Sequence, residues 1–266
     1  MSKEHVHDEL HRFVFDLNHY TVLQPDDEQD EVWRKILRDV HDYENRKNNP
    51  WYSEDAPAHN YAIEQSNRPD IIYECDDYIM GIECFEFDAS KKTRKGSKQK
   101  QKEDEVDRAI EEEYLRSTVP EGSFLSIERP VDVELSAKNY LESFILNYTD
   151  HARAIAKYRQ NLTEKAPGKK VLLAFFIEDA TAIGNYAVVD GKTEALDPLK
   201  IPFVLKVLAA TQGLDYVIIK TTDSYVPSLK IQKISIPLMT KLLRDCYGPY
   251  DKYVSYQYKR ESHTWR

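Results

Sequence analysis

Apolar residues recur at helical spacing in Val32-Trp33, Ile36-Leu37 and Val40, directly after the acidic run Asp26-Asp27-Glu28-Gln29-Asp30-Glu31. Acidic groups suit the positive end of a helix dipole, so this pattern predicts a helix over 30–47. Residues 48–69 are rich in Asn, Pro and Ser and predict an irregular connection with a short helix around 58–65. Between Pro69 and Asp88, β-branched and aromatic residues flank Asp76-Asp77, which predicts a β-hairpin. A polar helix follows over 98–117, then a break through Pro120, Gly122 and Pro130, then a longer helix over 137–163. The continuous apolar run 171–177 has strand length, 202–210 reads as a short buried helix, and 216–219 as a second buried strand. A last apolar helix is predicted over 237–246, and Asp190-Gly191 and Gly184-Asn185 are turn signals.

Strands alternating with helices define an α/β fold, a mixed central sheet flanked by helices. At 266 residues the expectation is a single α/β domain over 30–246, an N-terminal extension over 1–29 and a Tyr-rich tail over 247–266.

Composition narrows the class. Eight Gly against eighteen Tyr is the usage of a chain that folds. No stretch approaches the roughly 18 apolar residues of a membrane span, and residues 1–10 lack a signal-peptide core, so a cytoplasmic protein is expected. Cys75, Cys84 and Cys246 form no CxxC pair, so buried thiols are expected in place of a zinc ribbon or disulfide framework. No phosphate-binding glycine loop and no G-x-S-x-G nucleophile motif is present.

The hairpin carries the chemistry. A two-residue Asp76-Asp77 turn sets Cys75 opposite Tyr78, which brings Asp70 opposite Glu83 and Arg68 opposite Phe85. Alternation puts Asp70, Ile72, Glu74, Gly81, Glu83 and Phe85 on one face; Ile71, Tyr73, Cys75, Met80, Ile82 and Cys84 occupy the core face. Directly opposed carboxylates, with Cβ atoms roughly 5 Å apart, destabilise a sheet unless a cation or a shared proton intervenes. Mg²⁺ or Mn²⁺, which take oxygen ligands from one or two carboxylates together with water and phosphate, would resolve the conflict. The alternative is an ordinary solvated hairpin face.

Pro69-Asp70, twelve intervening residues, and Glu83-Cys84-Phe85 resemble the signature of the PD-(D/E)XK nuclease superfamily. The resemblance covers about residues 30–180 and implies a restriction-endonuclease-like core with additional helices. It further implies a divalent metal held by Asp70 and Glu83, assisted by a glutamate on a preceding helix. Glu64 is the nearest such glutamate, with Glu54 and Glu44 further off. Where the family has its lysine this chain has Phe85. Arg68, opposite Phe85, and Lys91, Lys92, Lys95, Lys98 and Lys102 are the cations near enough in sequence to stand in for it.

Lys91, Lys92, Arg94, Lys95, Lys98 and Lys100 crowd around Gly96-Ser97 in a chain whose net charge is −9. Such a cluster can neutralise phosphates of a nucleic acid, or it can be a solvated loop. The expected activity is metal-dependent phosphodiester hydrolysis of nucleic acid, DNA first, in restriction or defence. A catalytically inactive relative that binds nucleic acid or a protein partner is the competing expectation, and a homodimer stays open. His7 and His11 share a helix face without a partner at zinc spacing, and Glu178-Asp179 end a strand, where α/β folds often carry site residues.

Overall fold

A computed structural model describes residues 9–23, 30–48, 60–94, 96–118, 124–181, 186–223, 226–234, 243–248, 252–254 and 258–265. These fall into two compact units. The first takes its described residues from Met1–Glu86, Asn147–Asp179 and Asp197–Tyr247, the second from Phe87–Leu146, Ala180–Leu196 and Gly248–Arg266.

The first unit is built on a seven-stranded sheet. Its strands are β1 (Thr21–Leu23), β2 (Tyr61–Gln65), β3 (Ile71–Cys75), β4 (Tyr78–Phe87), β8 (Lys170–Asp179), β11 (Tyr216–Asp223) and β12 (Val226–Lys233), in the order β1-β12-β11-β8-β4-β3-β2. Strands β2, β3 and β4 form an antiparallel meander, while β8 and β11 run parallel. Four helices belong wholly or in part to this unit: α1 (Glu9–His19), α2 (Glu31–Asn48), α4 (Ala137–Lys165) and α5 (Pro202–Ala210). The architecture is the expected mixed α/β sheet with helices around it.

The second unit holds α3 (Lys98–Arg116) and the start of α4. Its small strands are β5 (Lys92–Thr93), β6 (Gly96–Ser97), β7 (Phe124–Val131), β9 (Tyr186–Val189), β10 (Lys192–Ala195), β13 (Lys252–Val254) and β14 (Tyr258–Trp265). They pair as β10-β9-β13, β14-β7 and β5-β6. The Asp190-Gly191 turn joins β9 to β10 as expected, with both residues at positive φ, 50° and 73°. Among the described residues, no helix is long and apolar enough to cross a membrane.

The hairpin register is the one expected: Ile71 pairs with Ile82, Ile72 with Gly81, Tyr73 with Met80 and Glu74 with Ile79. Ile71, Tyr73, Cys75, Met80 and Ile82 join Trp33, Ile36 and Val40 of α2 and Phe13, Val14 and Leu17 of α1 in one core cluster. The opposite face of the hairpin is covered too, since a Cβ on Gly81 would stand 2.8 Å from Leu162 of α4 and 2.4 Å from the Pro69 ring. Strand β4 is therefore buried on both faces through Glu83.

Three expectations change. Residues 61–65 form an edge strand and not part of a helix over 58–65, because Tyr61, Ile63 and Gln65 alternate with exposed Ala62 and Glu64 at period 2 and pair with β3. The segment over 1–29, expected as an extension, contributes α1 and β1 to the first unit; α1 buries Phe13, Val14 and Leu17 at helical spacing. Within the tail, β14 pairs antiparallel with β7, so backbone pairing supplies order where the sequence shows no period. The helix over 237–246 lies for the most part outside the described residues, as does Gly184-Asn185.

Gly81→Ala should destabilise the chain by about 1–3 kcal/mol, since a methyl group cannot enter between the Pro69 ring and Leu162 without moving one of them. Denaturant midpoints at constant m-value measure it; an unchanged midpoint would mean that α4 does not press on the hairpin.

Candidate metal centre

Asp70 stands one residue before β3, and continuing the hairpin register by one step sets it opposite Glu83. Its Oδ2 accepts a hydrogen bond from the backbone N–H of Cys84 at 2.7 Å. Helix α1 brings Glu9 to the same place. Among the described residues, Glu9, Asp70 and Cys84 form the group whose possible ligand atoms all lie within 4.8 Å of one another. Glu83 is outside that group, yet its charge is felt by both Asp70 and Glu9.

Burial pushes the Asp70 carboxyl up to about 7, and the negative charges of Glu83 and Glu9 add to this against the lowering pull of the Cys84 N–H. Glu9 is raised as well, first by burial and then by Glu83. The possible ligand atoms of the two carboxyls lie within 4.8 Å of each other, so ionisation of one disfavours ionisation of the other. The Cys84 thiol, driven well up by burial and the neighbouring acids, stays protonated beside them.

Glu83 is only 6% exposed. Its Oε1 lies 2.8 Å from His151 Nδ1 and accepts from the Tyr158 hydroxyl at 2.7 Å, both on α4. Its Oε2 is buried with no hydrogen-bond partner. Phe85, where the resemblance wants a lysine, stacks on the His151 ring with centroids 4.4 Å apart and planes 9° from parallel. Position 85 thus provides an aromatic seat for a histidine.

Next to the acids lies a balanced network. Lys220 of β11, 7% exposed, donates to Asp16 of α1 at 2.9 Å and lies 3.4 Å from Glu178, and Glu178 also pairs with Arg12 of α1. Two acids and two bases cancel there. Glu83 has a basic partner in His151, and the charge of Arg12, paired with Glu178, also acts on Glu9. Among the described residues, no ion pair is made by Glu9 or Asp70, whose ligand atoms lie within 4.8 Å of each other, and a compact cation with oxygen affinity would suit that pair.

The other expected site residues are dispersed. Glu64 lies on β2, not on a helix, and pairs with Lys165 at 2.6 Å. The helix glutamate beside Asp70 is Glu9, because α1 and not the 58–65 segment lies over this part of the sheet. Glu44 of α2 stands 3.9 Å from His19, and Glu54 is outside the described residues. Arg68 is exposed, and its carbonyl accepts from Asn161 of α4. Lys102 lies on α3 in the second unit and pairs with Glu105 at 2.7 Å. Lys91, Lys92, Arg94, Lys98 and Lys100 are exposed along the β5-β6 hairpin and the first turn of α3, whose N-cap is Ser97; Lys95 is outside the described residues. Sequence reasoning missed Glu9, His151 and Tyr158, although Glu9-Arg12-Asp16 and His151-Tyr158 each carry same-face helical spacing. No family model, curated protein or solved structure matches the chain.

Two measurements probe this centre. A carboxyl raised in the folded state contributes stability that is complete below its unfolded value near 4 and is lost as pH rises through about 7. Asp70→Asn should therefore match the metal-free parent at pH 4 and gain on it progressively toward pH 8 in urea titrations; a pH-independent difference would remove Asp70 from the set of raised carboxyls. Lys220→Met, which strands buried Asp16, should lose about 3–5 kcal/mol in the same assay.

Proposed function

We propose that this chain is a divalent-metal-dependent nuclease that hydrolyses phosphodiester bonds of nucleic acid, with DNA as the substrate, as a divergent member of the PD-(D/E)XK superfamily. A cytoplasmic role in restriction or phage defence belongs to the same proposal. The observation that carries it is the close pair Glu9 and Asp70 at one end of the β3-β4 hairpin, with Glu83 opposite Asp70 in the register. One carboxyl there is raised to about 7 and one buried oxygen is left without a partner. Two further features support it. The mixed sheet with helices around it is the fold class the resemblance implies, and the exposed basic residues at 91–100 suit a phosphate backbone.

Glu9, Asp70 and Glu83 would hold Mg²⁺ or Mn²⁺, which when bound activates water and offsets charge on the phosphoryl group. The chain's own work is positional. The Cys84 N–H fixes one oxygen of Asp70, and α4 fixes one oxygen of Glu83. The raised Asp70 must give up its proton before it can ligate, so cation affinity should climb between pH 5 and 8.

Phe85 favours a second reading, a non-catalytic descendant that binds nucleic acid or a protein partner. Its ring is enclosed by His151, Phe175 and Tyr148, and it supplies no positive charge.

Incubation of the purified protein with linear and supercoiled DNA in Mg²⁺ or Mn²⁺ separates these readings. The nuclease reading expects cleavage that EDTA stops and that Asp70→Ala or Glu83→Ala lowers at least about 100-fold. Cleavage surviving both substitutions overturns the site, and DNA retention without cutting in either metal selects the binding reading.

A further inference from the structure

We infer that His151 and Tyr158 are positioning residues that orient Glu83 so that its second oxygen faces a divalent cation. The inference rests on the metal-site reading above and assigns a role to two residues and to Phe85 that the motif resemblance leaves unassigned.

The arrangement of donors carries it. A carboxylate only accepts, so His151 Nδ1 carries the proton it shares with Oε1, and the Tyr158 hydroxyl donates to that same atom. Two donors on one oxygen and none on the other is an uneconomical way to satisfy a carboxylate that is 6% exposed, because a buried polar atom without a partner is destabilising. A side chain buried merely for structure would be better served by one donor on each oxygen. The geometry makes sense if Oε2 is reserved for a ligand that accepts electron pairs, and with Asp70 opposite Glu83 in the hairpin register and Glu9 beside Asp70, a hard divalent cation suits it.

The rest of α4 keeps the pair in place. His151 and Tyr158 lie two turns apart on one face of the helix, the face that carries buried Ile155 and Leu162 toward the hairpin. Phe85 lies flat against His151 and edge-on to Phe175, 5.6 Å away, which holds the imidazole plane in line with Glu83. Phe85 and His151 thus form one device, the phenyl ring being the surface on which the histidine rests. Outer partners of this kind fix a ligating carboxylate and typically change metal affinity by 10–100-fold when removed.

Mn²⁺ titrated into the full chain by calorimetry, with the Mn²⁺-induced rise in Tm as a second readout, tests the assignment. Tyr158→Phe deletes a single oxygen, His151→Leu removes the other donor, and His151→Asn places an amide nitrogen near the Nδ1 position. The expected results are a roughly tenfold or greater weakening of Mn²⁺ affinity in Tyr158→Phe and His151→Leu, partial rescue in His151→Asn, and loss of binding in Glu83→Gln. A residue that only supports the fold would lower the metal-free Tm while leaving the Mn²⁺-induced increment and the affinity intact, and that result overturns the inference while sparing the metal site. Absence of Mn²⁺ binding in the unaltered chain, or undiminished binding in Glu83→Gln, overturns the metal-site reading and the inference together. Tyr158→Phe changes no packing volume beyond one hydroxyl, so its result stands even where His151→Leu fails to fold.

Discussion

Strand β4 is covered on both faces and still carries a carboxylate, and most of what is distinctive in the first unit answers that constraint. The α1-α2 side buries Met80 and Ile82, while α4 presses on Gly81 closely enough to leave no room for a Cβ. Glu83, next on that second face, cannot reach bulk water and has to find its donors in the protein. Helix α4 supplies them from His151 and Tyr158, so the same helix that closes the core also sets the direction of the acid.

Charge is managed differently on the two sides of this strand. Toward β8 and β11, the acids Asp16 and Glu178 are matched by Lys220 and Arg12, and such a set can be buried at modest cost because every ion faces its opposite. Toward β3, burial and neighbouring negative charge raise both Glu9 and Asp70, Asp70 to about 7. A carboxyl poised near neutrality in a partly buried cluster is where function is to be sought in a structure of this kind.

Phe85 brings no charge to β4, and in the second unit the exposed cations of the 91–100 segment lie along a short hairpin and the start of α3. That segment is internally well tied: Asp88 accepts from the backbone N–H and hydroxyl of Ser90 and from the Ser97 hydroxyl, and Ser97 caps α3.

Much of this was legible along the chain because it is local. Period 3.6 marked α2, the break through Pro120, Gly122 and Pro130 set off α4, a continuous apolar run marked β8, and the Asp76-Asp77 turn fixed the pairing of β3 with β4, from which the opposition of Asp70 and Glu83 followed. The edge strand at 61–65 was mistaken for helix because five residues of alternation are too few to outweigh their surroundings, and only pairing with β3 decided the matter. The partners of the acids were not legible at all. His151 and Glu83 are separated by 68 positions and Lys220 and Asp16 by 204, and no local spacing carries information across such gaps. Helix α1 looks from its sequence like an amphipathic extension, and Glu64 looks like the nearest helical acid. Folding places Glu9 beside Asp70 and Glu64 beside Lys165, because which helix covers which strand end is set by packing of the whole sheet and not by proximity along the chain.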